Sequence, residues 1–191
     1  MKKLFSLLIL SVFLNLVLIA QKGRSQFGLK GGVNIANLEV SDINEYDART
    51  GFHVGGLVHI HVDDHWAVQP ELVFSAQGAE SGSTEFKLNY INIPVLLQYM
   101  TNSGFRLQTG PQLGFLVSAE SEVGDVEVDI DDNLKSIDFS WAFGAGYLFA
   151  SGFGIDARFN LGISDINDVS AVEIRNRVFQ FGLFYQLKPS K

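Results

Sequence analysis

The sequence contains no cysteine among its 191 residues. This absence excludes disulfides, thiolate catalysis, cysteine-based zinc sites and a lipidated N-terminal cysteine. Basic residues are few as well, because 14 Lys and Arg stand against 21 Asp and Glu and give a net charge of −7. Since no basic patch is available to meet phosphates, we expect no nucleic-acid partner.

Past residue 25 the chain also lacks an apolar run of about 20 residues, the length that a transmembrane helix needs. The N-terminus differs, because in "MKKLFSLLILSVFLNLVLIA" two lysines precede an apolar segment. This order is typical of a secretory signal peptide, and an uncleaved membrane helix is the alternative. We predict a signal peptide over 1–25 and one domain over 26–191. Cleavage after Ser25 is favoured over cleavage after Ala20.

Apolar and aromatic residues at every second position are what the chain has in quantity. Its 16 Phe and 19 Gly are typical of a tightly curved sheet rather than of a helical protein. The stretch "FSWAFGAGYLFASGFGIDARFNLGI" (139–163) puts bulky residues on one face of a strand and mostly small ones on the other. A soluble surface would carry Lys, Glu, Thr and Ser instead of glycine. The aromatic face therefore indicates an exterior in lipid, and the glycine face indicates a crowded interior.

Eight segments of this kind follow one another, and the connections between them alternate between long and short. Short turns and long loops in alternation are typical of an outer-membrane barrel. We predict an all-β, eight-stranded antiparallel up-and-down transmembrane β-barrel in the cell outer membrane, with both termini periplasmic. The alternative is a soluble, lipocalin-like barrel around a small apolar ligand, with its aromatic residues inside. The predicted external loops are 36–50, 78–85, 119–136 and 164–176.

Four stretches of the chain resemble a known family. They are "FGLKGGVNIANL", "QPELVFSAQGA", "LNYINIPVLLQY" and "TGPQLGFLVSA", and they resemble the PorT-type outer-membrane β-barrel domain of Bacteroidetes. The resemblance covers about 26–187 and implies a small barrel that sits in outer-membrane lipid. The name-giving member is similar to components of secretion across the outer membrane. An envelope or secretion protein, met through the external loops, is therefore the class of partner that we expect.

Besides His53 and Asp138, seven ionisable side chains are predicted to point into the barrel. An eight-stranded barrel has room for little besides its own side chains, and charges inside it must be paired. We therefore interpret these residues as a polar network that plugs the lumen, in preference to an active site or an ion path. We predict no catalytic residue, no cofactor and no enzymatic activity. The seven residues are Lys30, Glu71, Arg106, Asp156, Arg158, His59 and His61.

Three kinds of chemical site are alternatives to this interpretation. His59 and His61 have a spacing that suits metal ligands, but no third inward ligand is fixed by the sequence. The acidic loop "AESEVGDVEVDIDDN" has oxygen ligands that suit calcium, but its spacing is not that of an EF-hand. His53, Ser118 and Asp138 are candidates for a membrane-embedded hydrolase. We predict no metal site, a solvated external loop and no hydrolase.

Overall fold

The computed structural model describes four ranges of the chain, and residues 1–24, nearly all of the predicted signal peptide, lie outside them. Within these ranges no helix is long and apolar enough to span a membrane. The described ranges are 25–40, 46–124, 126–169 and 172–187.

Nine β-strands and one short 3-10 helix make up this part of the chain. The strands are β1 (Ser25–Val40), β2 (Asp47–His61), β3 (Trp66–Ser81), β4 (Thr84–Met100), β5 (Phe105–Val123), β6 (Val126–Asp129), β7 (Ile137–Leu148), β8 (Phe153–Gly162) and β9 (Ile174–Gln186), and the 3-10 helix is Asp131–Asn133.

Eight of the strands close into an antiparallel barrel. The sheet order is β4-β3-β2-β1-β9-β8-β7-β5-β6, and β4 also pairs with β5, which closes the ring. The predicted eight-stranded up-and-down barrel is therefore confirmed. β6 is an extra strand that pairs with the end of β5 alone. We call the end that carries the turns at 62–65, 101–104 and 149–152 the lower end, and the other the upper end.

The strands run further towards the upper end than the sequence predicts. β3 and β4 are joined by a two-residue turn at 82–83, where a loop over 78–85 was expected, and much of 36–50 is also strand. Gly82 has a φ of 60° in this turn, a conformation that glycine adopts without steric cost. The added length has apolar contacts of its own, since Tyr46 and Phe86 pack edge to face at 5.7 Å. The strands therefore extend towards the upper end, past the positions at which the sequence predicts the loops to begin.

The two faces of the barrel wall are as different as the sequence indicates. Large apolar side chains such as Leu29, Phe143 and Leu183 are exposed on the outside. Lysine, arginine, glutamine and asparagine side chains are buried on the inside. This is the opposite of a soluble ligand-binding barrel, so the lipocalin-like alternative is wrong. A ring of aromatic residues marks the lower end, and three of its pairs are cross-strand neighbours: Trp66 with Tyr99, Phe105 with Tyr147, and Phe153 with Tyr185.

Candidate functional site: the barrel interior and a projecting sheet

Four charged side chains meet in the lower half of the lumen. The Arg158 guanidinium donates two hydrogen bonds to the Glu71 carboxylate, at 2.9 and 2.8 Å. The Lys30 ammonium donates to Glu71 at 3.4 Å and to Asp156 at 3.2 Å. Arg158 also lies 3.7 Å from Asp156. These residues, which we call the ion cluster, come from β1, β3 and β8, so Glu71 ties β3 to β8 on the opposite side of the barrel.

The charged groups of the ion cluster are buried, so their pairing matters for stability. The Glu71 side chain is fully buried, and those of Lys30 and Arg158 are 2% exposed. An ion so far from water must be paired and hydrogen-bonded, or it costs several kcal/mol. Glu71 lies between two cations, and both of its oxygens accept hydrogen bonds. The ion cluster is therefore a cross-link in the interior and not a set of separate charges.

Arg106 lies outside the ion cluster, although the sequence places it in the same network. Its guanidinium donates to Gln186 at 3.2 Å and lies 5.6 Å from the centre of the Phe184 ring. Within the described ranges, no carboxylate lies within ion-pair distance of it. The cause is position, because Arg106 is the second residue of β5, next to the lower turn at 101–104. Its buried charge is thus compensated by an amide and an aromatic ring.

The two histidines of the predicted network are linked to the ion cluster through one glutamine. The Gln69 amide donates to Glu71 at 2.8 Å, and its carbonyl oxygen lies 3.2 Å from His59 Nδ1. The His61 ring packs edge to face against His59, with the ring centres 4.6 Å apart. In the described part of the chain no three side chains of His, Asp or Glu form a group that would hold a metal ion.

A second polar layer above the ion cluster was not predicted. The Asn34 amide donates to Ser75 Oγ and to two backbone carbonyls, so its oxygen faces the other way. That oxygen accepts from Gln180 at 3.0 Å and lies 2.8 Å from His53 Nδ1. His53 therefore donates from Nδ1 to Asn34. The signal was present in the sequence, since all four residues occupy inward positions of their strands, but alternation alone does not indicate which of them bond to one another.

The upper lumen is filled by apolar side chains. The fully buried Tyr90 and Ile166 lie at its centre, and Ile166 belongs to the connection between β8 and β9. A hydrophobic side chain from this connection therefore folds back into the barrel. No sequence signal predicts it, because Ile166 stands between Asp165 and Asn167 without any periodic pattern. We call this cluster the upper plug, and its buried members are Leu38, Ala79, Leu88, Tyr90, Ala119 and Ile166.

Asp165 holds the connection over the upper plug. One carboxylate oxygen accepts from the backbone N–H groups of Asn167 and Ile174, at 3.0 and 2.9 Å. The other accepts from Lys135 at 2.6 Å. Partial burial raises the pKa of Asp165, but the hydrogen bonds from Lys135, Ile174 and Asn167 outweigh it and lower the pKa to about 2. The carboxylate that pins Ile166 in place is thus ionised at neutral pH.

Little space remains beside the ion cluster at the lower end of the lumen. The lumen pocket beside Lys30, Arg106 and Asp156 has a volume of about 10 Å³. A single water molecule needs roughly 10–15 Å³ measured in this way. Such a cavity is far smaller than the 300–1,000 Å³ that is usual for small-molecule sites.

The three residues that are candidates for a hydrolase site form hydrogen bonds with separate partners. His53 bonds to Asn34, and Ser118 accepts from Asn89 at 3.0 Å. Asp138 accepts from Ser164 at 2.8 Å and from Asn176 at 2.9 Å. The geometry therefore offers no nucleophile–base pair among them.

An acidic sheet face projects above the barrel. Cross-strand partners share one face of a sheet, and β4, β5 and β6 place two rows on the same side. One row is Lys87, Glu120 and Asp129, and the other is Glu85, Glu122 and Glu127. Lys87 pairs with both Glu122 and Glu127, and Arg49 pairs with Glu85 at 2.5 Å. Carboxylates still outnumber cations on this face, which we call the acidic face.

Solved structures share this architecture. The chain resembles Neisserial surface protein A with a TM-score of 0.62 and 18% identity, covering 84% of this chain and 97% of that one. It resembles Ail, the attachment invasion locus protein of Yersinia pestis, with a TM-score of 0.53 and 16% identity, covering 86% and 99%. Ail solved with the heparin analogue sucrose octasulfate gives a TM-score of 0.55 at 13% identity, again covering 86% and 99%. At these identities the likeness shows the fold alone.

Sequence comparison identifies the family. No curated protein matches the chain. A family model described as "Outer membrane protein beta-barrel domain" matches residues 19–168, which is most of the sequence. Together with the closed barrel and its apolar exterior, this match shows that the chain belongs to the outer-membrane β-barrel domain family.

Proposed function

We propose that this protein is a closed outer-membrane anchor that displays an acidic sheet to a partner, and that it neither conducts solutes nor catalyses a reaction. The observation that carries this proposal is the filled lumen. The ion cluster and the upper plug occupy two levels of the lumen, and the pocket beside Lys30, Arg106 and Asp156 has a volume of about 10 Å³. A hydrated ion path would require a continuous wide lumen, which barrels with more strands possess.

Conductance of the refolded protein tests the closed lumen. In a planar bilayer we expect no steady open current, because side chains fill the lumen at two levels. The double variant Tyr90→Ala, Ile166→Ala removes the bulk of the upper plug and is the matched control for a partly opened barrel. A large, steady conductance of the unmodified protein would show that the lumen is a pore.

The acidic face supports the second part of the proposal. It carries more carboxylates than cations on strands that extend past the barrel wall, so it favours a partner with a basic surface. We expect a fluorescent oligolysine peptide to bind the protein in phosphatidylcholine vesicles, with an affinity that falls as salt rises. The variant Glu120→Gln, Glu122→Gln should weaken binding, whereas Asp63→Asn at the lower end should not. Equal binding by all three proteins would exclude the acidic face as the docking surface.

Orientation follows from the same proposal, with the lower turns and both termini in the periplasm and the acidic face outside. Barrels of this class have short periplasmic turns. The turns at 62–65, 101–104 and 149–152 lie at the lower end, whereas the long connection 163–173 lies at the upper end. Because the chain has no cysteine, single cysteines can be introduced without background. A membrane-impermeant thiol reagent on intact cells should label Val169→Cys, at an exposed position of the connection between β8 and β9, and spare Ser151→Cys. The reverse pattern would invert the topology.

We further infer that the partner belongs to the cell envelope or to a secretion machinery. The resemblance to the PorT-type domain supports this. Co-purification after cross-linking from intact cells, compared between the unmodified protein and the Glu120→Gln, Glu122→Gln variant, tests it. Loss of the cross-linked species in the variant is the expected result, and recovery of only cytoplasmic proteins would contradict it.

A further inference from the structure

A second pocket lies at the lower rim of the barrel, on the outside. It has a volume of about 320 Å³ and is lined by Asp63, Asp64, His65, Trp66 and Tyr99. We call it the rim cleft. It lies where the turn between β2 and β3 meets the end of β4, and it takes no part in the closed lumen. A volume near 300 Å³ is at the small end of the range for ligand sites.

Aromatic rings form the walls of the rim cleft. Trp66 and Tyr99 contact each other edge to face, with ring centres 5.1 Å apart, and His65 stacks against Tyr99 at 6.0 Å. Backbone hydrogen bonds hold these residues, because Met100 N–H donates to His65 O at 2.7 Å and Val62 N–H donates to Trp66 O at 2.8 Å. The cleft is therefore pre-formed and does not depend on a ligand for its shape.

Two carboxylates at the rim cleft have no Lys or Arg partner in the described part of the chain. Neither Asp63 nor Asp64 forms a salt bridge within the described part of the chain. Asp63 Oδ1 accepts from the backbone N–H groups of His65 and Trp66, both at 2.8 Å. These two hydrogen bonds lower the pKa of Asp63. The cleft thus combines aromatic walls with negative charge, which is the combination that attracts an organic ammonium group.

The position of the rim cleft restricts the source of such a group. Trp66 and Tyr99 belong to the ring of aromatic residues that marks the lower end of the lipid-facing wall. At this level aromatic girdles meet lipid headgroups. Asp63 and Asp64 follow in the exposed turn beyond it. A ligand in the cleft therefore has apolar wall on one side and water on the other, as a phospholipid headgroup does.

We propose that the rim cleft binds the primary ammonium headgroup of a phospholipid, phosphatidylethanolamine, with its N–H groups donating to Asp63 and Asp64 and its cation against Trp66 and Tyr99. The headgroup assignment does not depend on the proposed orientation of the barrel. Only the further statement that the lipid comes from the periplasmic leaflet rests on that orientation. Charge complementarity selects this headgroup over an anionic one. The N–H donors select it over choline, whose quaternary ammonium cannot donate to a carboxylate.

Quenching of tryptophan fluorescence by brominated lipids tests the proposal. The chain has two tryptophans, so the variant Trp141→Phe leaves Trp66 as the sole reporter. In phosphatidylcholine vesicles, brominated phosphatidylethanolamine is compared with brominated phosphatidylcholine at equal mole fraction. Both lipids are zwitterionic, so net-charge repulsion is the same. We expect association about two- to fivefold stronger for phosphatidylethanolamine, the low end for a net hydrogen bond.

Matched variants identify the residues responsible. Asp63→Asn, Asp64→Asn keeps an oxygen for the turn but removes both charges, and the ratio should fall to one. Asp129→Asn, Asp132→Asn removes two carboxylates at the upper end and should leave the ratio unchanged. A ratio of one in the Trp141→Phe protein, or a ratio that survives Asp63→Asn, Asp64→Asn, would overturn the proposal.

Two further comparisons separate this proposal from its alternatives. If oligolysine peptide shifts Trp66 emission while the lipid ratio stays at one, the cleft takes a basic peptide and the lipid assignment is wrong. The vesicles have the same lipids in both leaflets, so the ratio does not depend on which way the barrel inserts. A failure here therefore leaves the thiol-labelling test of topology untouched, and a failure of that test leaves the lipid ratio interpretable.

Discussion

The lower and upper halves of the lumen both contain buried side-chain clusters, but opposite kinds of interaction hold them together. The lower half contains the ion cluster, in which Glu71 is held by Arg158 and Lys30. The upper half contains the upper plug, in which apolar side chains surround Ile166 from a connection between strands. In a charge network each ion has a fixed partner, so the loss of one ion leaves another buried ion unpaired. An apolar cluster partly collapses when one member shrinks. The two halves should therefore fail in different ways.

The largest expected effect comes from breaking the ion cluster. Arg158→Ala leaves Glu71 buried with only Lys30 as its cationic partner, and should lower the free energy of unfolding by ~3–5 kcal/mol. Arg106→Ala is the matched control, because Arg106 is buried to a similar degree but has no carboxylate partner in the described ranges. Its loss should cost less. Unfolding curves in urea with detergent or vesicles measure both, and equal losses would mean that the ion cluster contributes no special stability.

A smaller effect is expected in the upper plug. Ile166→Ala should lower the free energy of unfolding by about 2 kcal/mol, the low end for removing a buried isoleucine side chain, since the connection can move inward. Val169, in the same connection, is 66% exposed, so Val169→Ala should have almost no effect. Hydrogen exchange of residues 163–173 adds a local measurement. If the exchange rates there do not rise in Ile166→Ala, the plug is not held by that side chain.

A further effect, confined to acidic pH, concerns the Asp165 hydrogen bonds. Because its pKa falls from 3.8 to about 2 on folding, Asp165 stabilises the folded state above pH 4, and this contribution disappears as the pH falls through 2. The unmodified protein should therefore lose stability relative to Asp165→Asn between about pH 4 and pH 2. Thermal unfolding at a series of pH values measures the difference. A gap that stays constant across this range would contradict the assigned hydrogen bonds.

The difference between the two halves also explains what the sequence could reveal. Regular alternation along β1, β3 and β8 identifies Lys30, Glu71, Asp156 and Arg158 as residues of one face, and the closed barrel follows from the same pattern. Which of them pair is a different matter, because pairing across the lumen depends on strand tilt and stagger. Arg106 shows the limit, since it shares the inward face but lies too near the lower turn to reach a carboxylate. The role of these residues as a plug stays a proposal.

The upper plug and the acidic face were harder to predict for a related reason. Ile166 lies in an irregular connection, where no periodicity indicates which way a side chain points. The predicted loops 78–85 and 119–136 both contain strand residues. In the second loop, apolar and acidic residues continue to alternate through Val126 and Val128, but at a length beyond what a membrane requires. Sequence patterns report the direction of side chains within a strand. They do not report where lipid ends and water begins.

The extra strand β6 has a consequence for crowding. Barrels in a membrane meet one another sideways, and an open strand edge invites a neighbouring chain to add to the sheet. In the described part of the chain β6 is paired on one side only, with β5. It is four residues long, and two of them are Glu127 and Asp129. A short edge with like charges repels the same edge of a second molecule. We therefore expect the projecting sheets of neighbouring molecules not to pair edge to edge, even at high density in the membrane.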